Sequence, residues 1–390
     1  MPKKDIILLE EKLASYVGRD YCICTGSGTA ALVAVMRAMD IPKKSEVIVP
    51  SICCPVVPFA VSYSGLRPIF CDVSPSDYNM DPDSIKDVVS TRTKAVIPVH
   101  QFGQAAPMDE IMEQAESHSL FVIEDAAQSF GGKFKDKKFG SFGDASITSF
   151  GYSKIIDVSS GEYATGGGGA IFTDDQKLAE KAMGIVNNWK PYSKLRNQWY
   201  RMIYSSGFAF TEMLERKKIK ARRTIPYISK FLEKMFVYKM RNEWAKKISN
   251  ELDFLDENLR IRTRNACTYR KLIRSPSIIH PQYKNESGVY SRYSCLLRDI
   301  NRQEFITELG KRGVLVYQLY SPPLHKYYYS TRKLPNSEFV SSRIFNLNTE
   351  PQYKKNIIRD ALIVNEVSDI LRNDKSIDKS INVLRAPLSG

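Results

Sequence analysis

The 390-residue chain has little of what metal centres and disulfide frameworks are made from. It contains four histidines and seven cysteines, and no two cysteines stand in a C-x-x-C pair. That argues against a structural zinc site and a disulfide scaffold, and no metal is expected. Cys22/Cys24 and Cys53/Cys54 are read as packing beside strands. Apolar runs fall well short of the ~20 residues of a membrane span. The N-terminal MPKKDIILLEEKL has no signal-peptide core, so the expected location is the cytoplasm. Acid is scarcer than base, 43 residues against 57, and the net charge of +14 hints at an anionic partner.

What is present is an ordinary globular composition, 43% hydrophobic and 26% charged, with ample material for a core. The length suits two domains, or one large α/β unit with an appendage.

The chain is organised around Leu120–Thr173. Leu120–Ile123 is a short apolar run that stops on Glu124 and Asp125, followed by small residues and Gln128. Such a run reads as a buried parallel strand whose polar end emerges at a sheet edge. Ala145–Phe150 is a second strand-like segment, with Lys154 just beyond it. A glycine run and the strand-like AIFT close the unit. Carboxylate, hydroxyl and lysine thus lie where strands meet loops, which is where open α/β sheets bind ligands.

The simplest chemistry needing that set is pyridoxal 5′-phosphate (PLP) held as a Schiff base. Lys154 would hold the aldehyde and later shuttle a proton. Asp125 would keep the pyridine nitrogen protonated. Gln128 could hydrogen-bond the ring oxygen, and Ser149 the phosphate. The plainer reading is that Asp125 caps a helix and Lys154 is one surface lysine among many. Near the N-terminus, YCICTGSGTAALVAVMRAM reads strand, glycine turn, helix, with Gly26, Ser27, Gly28 and Thr29 at the turn. A glycine turn opening a helix suits a phosphate, although most such glycines merely make turns. Beside Lys154 it becomes the expected phosphate cup, built from Ser27, Gly28 and Thr29.

Between these sites the chain alternates. Strands near 47–50, 68–73 and 95–100 separate helical segments around 55–64, 83–89 and 107–118, the pattern of a mostly parallel sheet. Residues 5–17 read as an amphipathic arm. One long helix is expected over 244–269, alternating strands and helices over 275–350, and a loosely held polar tail over the last twenty residues.

ITSFGYSK resembles the S-F-x-x-x-K lysine segment of the DegT/DnrJ/StrS-type nucleotide-sugar aminotransferases, fold-type-I PLP enzymes. SGTAAL, EVIVPS, RPIFCDVSPSDYNMDP, TKAVIPVHQFGQAAPMDEI, IEDAAQSFGG and GSFGDASITSF match the same family in order. RGVLVYQLYSPPLH resembles its substrate-side segment. The resemblance implies a large three-layer α/β/α domain with a mostly parallel sheet over residues 1–250. A small C-terminal α+β domain would follow over 251–390. It implies a homodimer, PLP on Lys154, and amino transfer from an amino acid, glutamate above all, to a keto-sugar. That sugar would be nucleotide- or lipid-linked and destined for surface polysaccharide or glycoconjugate. His100, Tyr320 and His325 would face the substrate.

Three departures stand out. Relatives place an aromatic ring near Cys54 to stack on the pyridine. The lysine-to-glycine spacing is longer than usual. Val237 stands where relatives have an asparagine that reaches the partner's cofactor phosphate. Residues 190–236 also form a basic, aromatic insert, with twelve Lys/Arg, three Asp/Glu and nine aromatics. It suits peripheral contact with an anionic membrane or a grip on a polyanionic substrate, and equally a solvated surface insert. No nucleic-acid module is visible. The rival functions are a PLP-dependent sugar dehydratase, whose relatives carry histidine in place of the lysine, a non-catalytic protein of the same fold, and a membrane scaffold.

Overall fold

The alternation of apolar strands with amphipathic helices builds two sheets. The computed structural model describes residues 4–159, 166–195, 198–199, 202, 233–282, 288–317, 322–328 and 330–384. Most of the 190–236 insert, and Tyr320, lie outside the described residues.

The first half alternates regularly. Helix α1 (Lys4–Val17) leads into β1 (Tyr21–Thr25) and α2 (Gly28–Ala38). Then come β2 (Glu46–Pro50), α3 (Val56–Tyr63), β3 (Arg67–Cys71), α4 (Pro82–Lys86), β4 (Thr93–Val96), α5 (Met108–Ser117) and β5 (Phe121–Asp125). A two-stranded hairpin, β6 (Lys133–Phe134) with β7 (Lys137–Lys138), precedes β8 (Ala145–Ser149), β9 (Gly169–Thr173) and α6 (Gln176–Asn187). The large sheet runs β1-β9-β8-β5-β4-β2-β3. β2 pairs in parallel with β3 and β4, and the β4–β5 and β5–β8 pairs are parallel too. Only β9 runs antiparallel to its neighbours β1 and β8.

The strands are apolar along most of their length because helices cover both faces. One face packs Ile123, Ile147 and Ile171 against Ala31, Val35 and Ala182 of α2 and α6. The other packs Cys22, Cys24, Ala170 and Phe172 against Leu9 and Leu13 of α1, and against Trp244 and Ile248. Those last two belong to α7 (Asn242–Asp253), which α8 (Leu255–Leu272) follows at once. The single long helix expected here is therefore two. Phe254 leaves helical geometry (φ −105°, ψ 6°), and its N–H donates to Glu251 O at 3.2 Å.

The second sheet is antiparallel, in the order β10 (Ile278–Ile279), β11 (Arg292–Leu297), β13 (Ile344–Asn348), β12 (Val316–Tyr317). Helices α9 (Arg302–Lys311), α10 (Leu324–Tyr327) and α11 (Pro335–Arg343) interleave, and α12 (Ile357–Leu384) ends the described chain. Where a loosely held tail was expected, the backbone stays helical to Leu384. Its start is anchored by Ile357, Ala361, Val364 and Val367, buried against Phe345 and Leu347 of the small sheet. Among the described residues no helix is long and apolar enough to cross a membrane.

Candidate active site

Asp125 closes β5 and Ser149 closes β8, so parallel pairing brings both to one end of the sheet. The strand ends collect polar groups because the apolar runs stop there. Asp125 is 4% exposed, and its Oδ1 accepts from Ala127 N at 2.9 Å. Burial pushes its carboxyl up, against the pull of that N–H and of the Lys154 charge. Lys154 is half-buried on the turn after β8, its own N–H bonded to Gly151 O at 3.3 Å. Cys54 joins them: burial raises its thiol, Lys154 lowers it, and Asp125 raises it again. Carboxylate, lysine and thiol therefore share one electrostatic neighbourhood, although about 30 to 100 residues of chain separate them.

The glycine turn faces the same end. Ser27 caps α2, its Oγ accepting from Ala30 N at 3.0 Å and donating to Phe236 O at 2.6 Å. Both roles of that hydroxyl are thus taken within the chain. Gly28 opens the helix directly against Ser149: a Cβ there would lie 2.8 Å from Ser149 Cβ. The missing side chain lets the helix start pack directly on the end of β8, and β9 closes on it as tightly, since a Cβ at Gly169 would meet Gly28 N at 2.6 Å. Ser149 Oγ also accepts from Gly151 N at 3.4 Å. Thr29 is buried in the first turn of α2. The N–H groups and positive dipole of that turn, with two hydroxyls beside it, make a set of donors suited to a phosphate. Residues 236–238 close the turn from their own chain. Gly26 N donates to Tyr238 O at 2.9 Å, and the Tyr238 ring fills the space a Cβ on Gly26 would need.

The remaining residues named from the sequence lie deeper. Gln128 is buried; its Oε1 accepts from Phe102 N at 3.2 Å and its Nε2 donates to Gln101 Oε1 at 3.0 Å. His100 is fully buried. Its Nδ1 accepts from Ala106 N at 3.0 Å, so Nε2 is the donor to Glu124 Oε1 at 2.9 Å. His325 is equally buried, bonded through Nδ1 to Ser51 Oγ at 2.7 Å, with Glu338 at 3.4 Å from Nε2. Neither imidazole is exposed: His100 ties the loop after β4 to the end of β5, and His325 ties α10 to the residue after β2. Tyr320 lies outside the described residues.

Sequence reasoning passed over Ser153, Asn258 and Arg292. Arg292 reaches Ser153 Oγ next to the lysine. Its one signal was an arginine at the head of the otherwise largely apolar strand RYSCLL.

Comparison with known proteins decides the family, because the model of the DegT/DnrJ/EryC1/StrS aminotransferase family matches residues 4–365. The chain belongs to that family. It is a PLP-dependent aminotransferase with the fold-type-I architecture. A dTDP-3-amino-3,6-dideoxy-alpha-D-galactopyranose transaminase of Aneurinibacillus thermoaerophilus is 30% identical over 346 residues, 88% of this chain and 84% of the relative. The UDP-2-acetamido-2-deoxy-3-oxo-D-glucuronate aminotransferase of Pseudomonas aeruginosa is 29% identical over 351 residues, 89% and 86% of the two chains. Among solved structures, a DegT DnrJ EryC1 StrS aminotransferase from Brucella abortus superposes with a TM-score of 0.71. It is 25% identical, with 92% of this chain and 90% of the other covered.

Proposed function

We propose that this aminotransferase moves an amino group from an amino acid, with glutamate the expected donor, to a keto-sugar carried on a nucleotide. The product would enter a surface polysaccharide or glycoconjugate. The observation that carries the reading is that Lys154 and Asp125 feel each other's charge at the strand ends, the end at which Gly28 packs on Ser149. The names of the two relatives support the substrate class, one a transaminase of a UDP-linked 3-oxo sugar acid and the other of a dTDP-linked amino sugar.

PLP, when bound, supplies an electron sink conjugated to the amino group in transit. Lys154 Nζ would be the group that holds the cofactor, and the same amine would move the proton at the reacting carbon. Asp125 holds a proton on the ring nitrogen. Its burial suits that task, because a desolvated carboxylate holds a shared proton strongly. The first turn of α2, through Gly28 and Thr29, would take the phosphate together with Ser149, while Ser27, whose hydroxyl is already engaged, caps that turn. Gln128 braces the ring edge. His100 and His325 serve the site by fixing the strand ends. Cys54, in electrostatic reach of Lys154 and Asp125, stands where relatives place an aromatic ring.

The same reading includes a homodimer, a cytoplasmic location and peripheral contact with an anionic membrane through residues 190–236. The charge and aromatic content of that insert support the membrane contact. A lysine at position 154 argues against the dehydratase alternative. The test is to incubate the PLP-loaded protein with L-glutamate and a panel of UDP-, dTDP- and GDP-linked keto-sugars. Formation of 2-oxoglutarate matched mole for mole by an amino-sugar nucleotide is the expected result. Loss of a sugar hydroxyl without net amino transfer would overturn it in favour of a dehydratase.

A further inference from the structure

The turn that carries Lys154 is gripped on both sides. Ser153 sits in the left-handed region (φ 63°), and its N–H donates to Asp157 Oδ2 at 2.7 Å. Its hydroxyl accepts from Arg292 Nη2 at the head of β11. On the other side, the carbonyl of Ile155 accepts from Asn258 Nδ2 of α8 at 3.2 Å.

These two grips belong to one network. Asn258 Oδ1 accepts from Arg262 Nε at 2.7 Å. Arg262 Nη1 and Arg292 Nη1 both donate to Ser291 O, at 3.3 Å and 2.7 Å. Arg292 Nη1 also reaches Glu350 Oε1 at 2.8 Å. A hydrogen-bonded path thus leaves the chain at Ser153, crosses β11 and α8, and returns at Ile155. Lys154 is the residue between its two ends.

An arginine is a costly choice for this position. Arg292 is 4% exposed, with its guanidinium 4.5 Å from the centre of the Tyr317 ring and its Nε without a partner among the described residues. Arg262 is also buried, which pushes its guanidinium down to about 10. Taking such groups out of water is unfavourable unless their geometry achieves something an apolar side chain would not. Only a planar fork can engage Glu350, Ser291 and Ser153 together. Its second guanidinium nitrogen, Nη2, meets the lysine turn.

We infer that Arg292 is a positioning residue for Lys154. Through Ser153 on one side, and Arg262 and Asn258 on the other, it ties the lysine turn to the small sheet. The reach of the Lys154 amine then depends on how the small sheet seats against the large one. This rests on Lys154 being the cofactor lysine.

Ser153→Ala tests the link, since it removes only the hydroxyl that meets Arg292 and leaves the Arg292–Glu350 pair intact. Ser153→Gly does the same and accepts the positive φ without strain. In the PLP-loaded enzyme both variants should shift the pH midpoint of the visible absorption band. They should also lower kcat about 10- to 100-fold, the scale of a misplaced reacting group, with KM for the sugar unchanged and Tm within a few degrees of wild type. Arg292→Met should show the same spectral shift with an added loss of stability; if it does not fold, the two Ser153 variants still decide. An unchanged midpoint and kcat in both Ser153 variants, whatever their Tm, would overturn the inference. Mapping the borohydride-fixed cofactor in the wild type separates the two claims. A label on Lys154 beside unaffected Ser153 variants removes the positioning role alone, whereas a label on another lysine removes the assignment beneath it.

Discussion

Glu124 and Asp125 follow each other at the end of β5, and successive strand residues turn to opposite faces. Glu124 enters a saturated polar knot. It accepts from His100 Nε2 at 2.9 Å, Gly140 N at 2.7 Å and Phe142 N at 2.8 Å. Asp125 lies at the strand end, where among the described residues Ala127 N is its one backbone donor and burial outweighs both that bond and the Lys154 charge. A second saturated knot, Ser51 with His325, lies at the end of β2. In this pair of carboxylates burial alone does not separate scaffold from chemistry, whereas the number of donors around each among the described residues does. Saturated groups should govern stability, and under-satisfied ones turnover.

The largest effect that sharpens this contrast is expected at the lysine. Lys154→Ala should lower kcat by more than ~10⁴-fold, since one amine serves as both covalent anchor and proton carrier. A half-buried lysine in a cleft packs little, so Tm should barely move. Steady-state kinetics beside a thermal melt would show it.

Asp125→Asn comes next. Replacing a carboxylate whose charge burial disfavours by an amide should leave stability equal or raised. Turnover should fall about 10²- to 10⁴-fold, because an amide does not hold the proton. The pair of values, activity down and stability not, is the signature. A variant that lost stability while keeping its rate would break the contrast.

The saturated knot should behave in the opposite way. His100→Ala strips Glu124 of a buried partner and should cost about 3 kcal/mol or more in urea unfolding. The cofactor-loaded fraction that remains folded should turn over within a few-fold of wild type.

Sequence and structure agree where the pattern is local. The strand ending at Asp125, the turn opening α2 and the lysine after β8 could all be read because period, glycine and apolar run length are written within a few residues. What escaped was non-local. Arg292 meets Ser153 across 139 positions and Asn258 meets Ile155 across 103, and no spacing rule links them. For His100 and His325, which the resemblance sets toward the substrate, a motif names the residue without naming its partners, and both rings are buried and hydrogen-bonded within the chain. The break at Phe254 depends on one backbone angle.

The smallest effect concerns Glu10 of α1, whose carboxyl burial pushes up from 4.5 to about 7 although Cys24 N donates to it at 2.7 Å. Between those values the folded protein keeps a proton that the unfolded chain has released. Wild type therefore loses stability as pH rises from about 4.5 to 7. Glu10→Gln keeps an acceptor for Cys24 N and removes the charge. It should match wild type at pH 4 and exceed it at pH 8 by on the order of 1–2 kcal/mol in urea unfolding, without altering turnover.

The central claim is that the amine beside Asp125 is the one that holds the cofactor. The direct test is to load the protein with PLP, reduce it with borohydride, digest it and locate the pyridoxyl-modified lysine by mass. The account predicts one modified peptide, carrying Lys154, the only lysine between Lys138 and Lys177. A modification on any other lysine, with the Lys154 peptide intact, would contradict it.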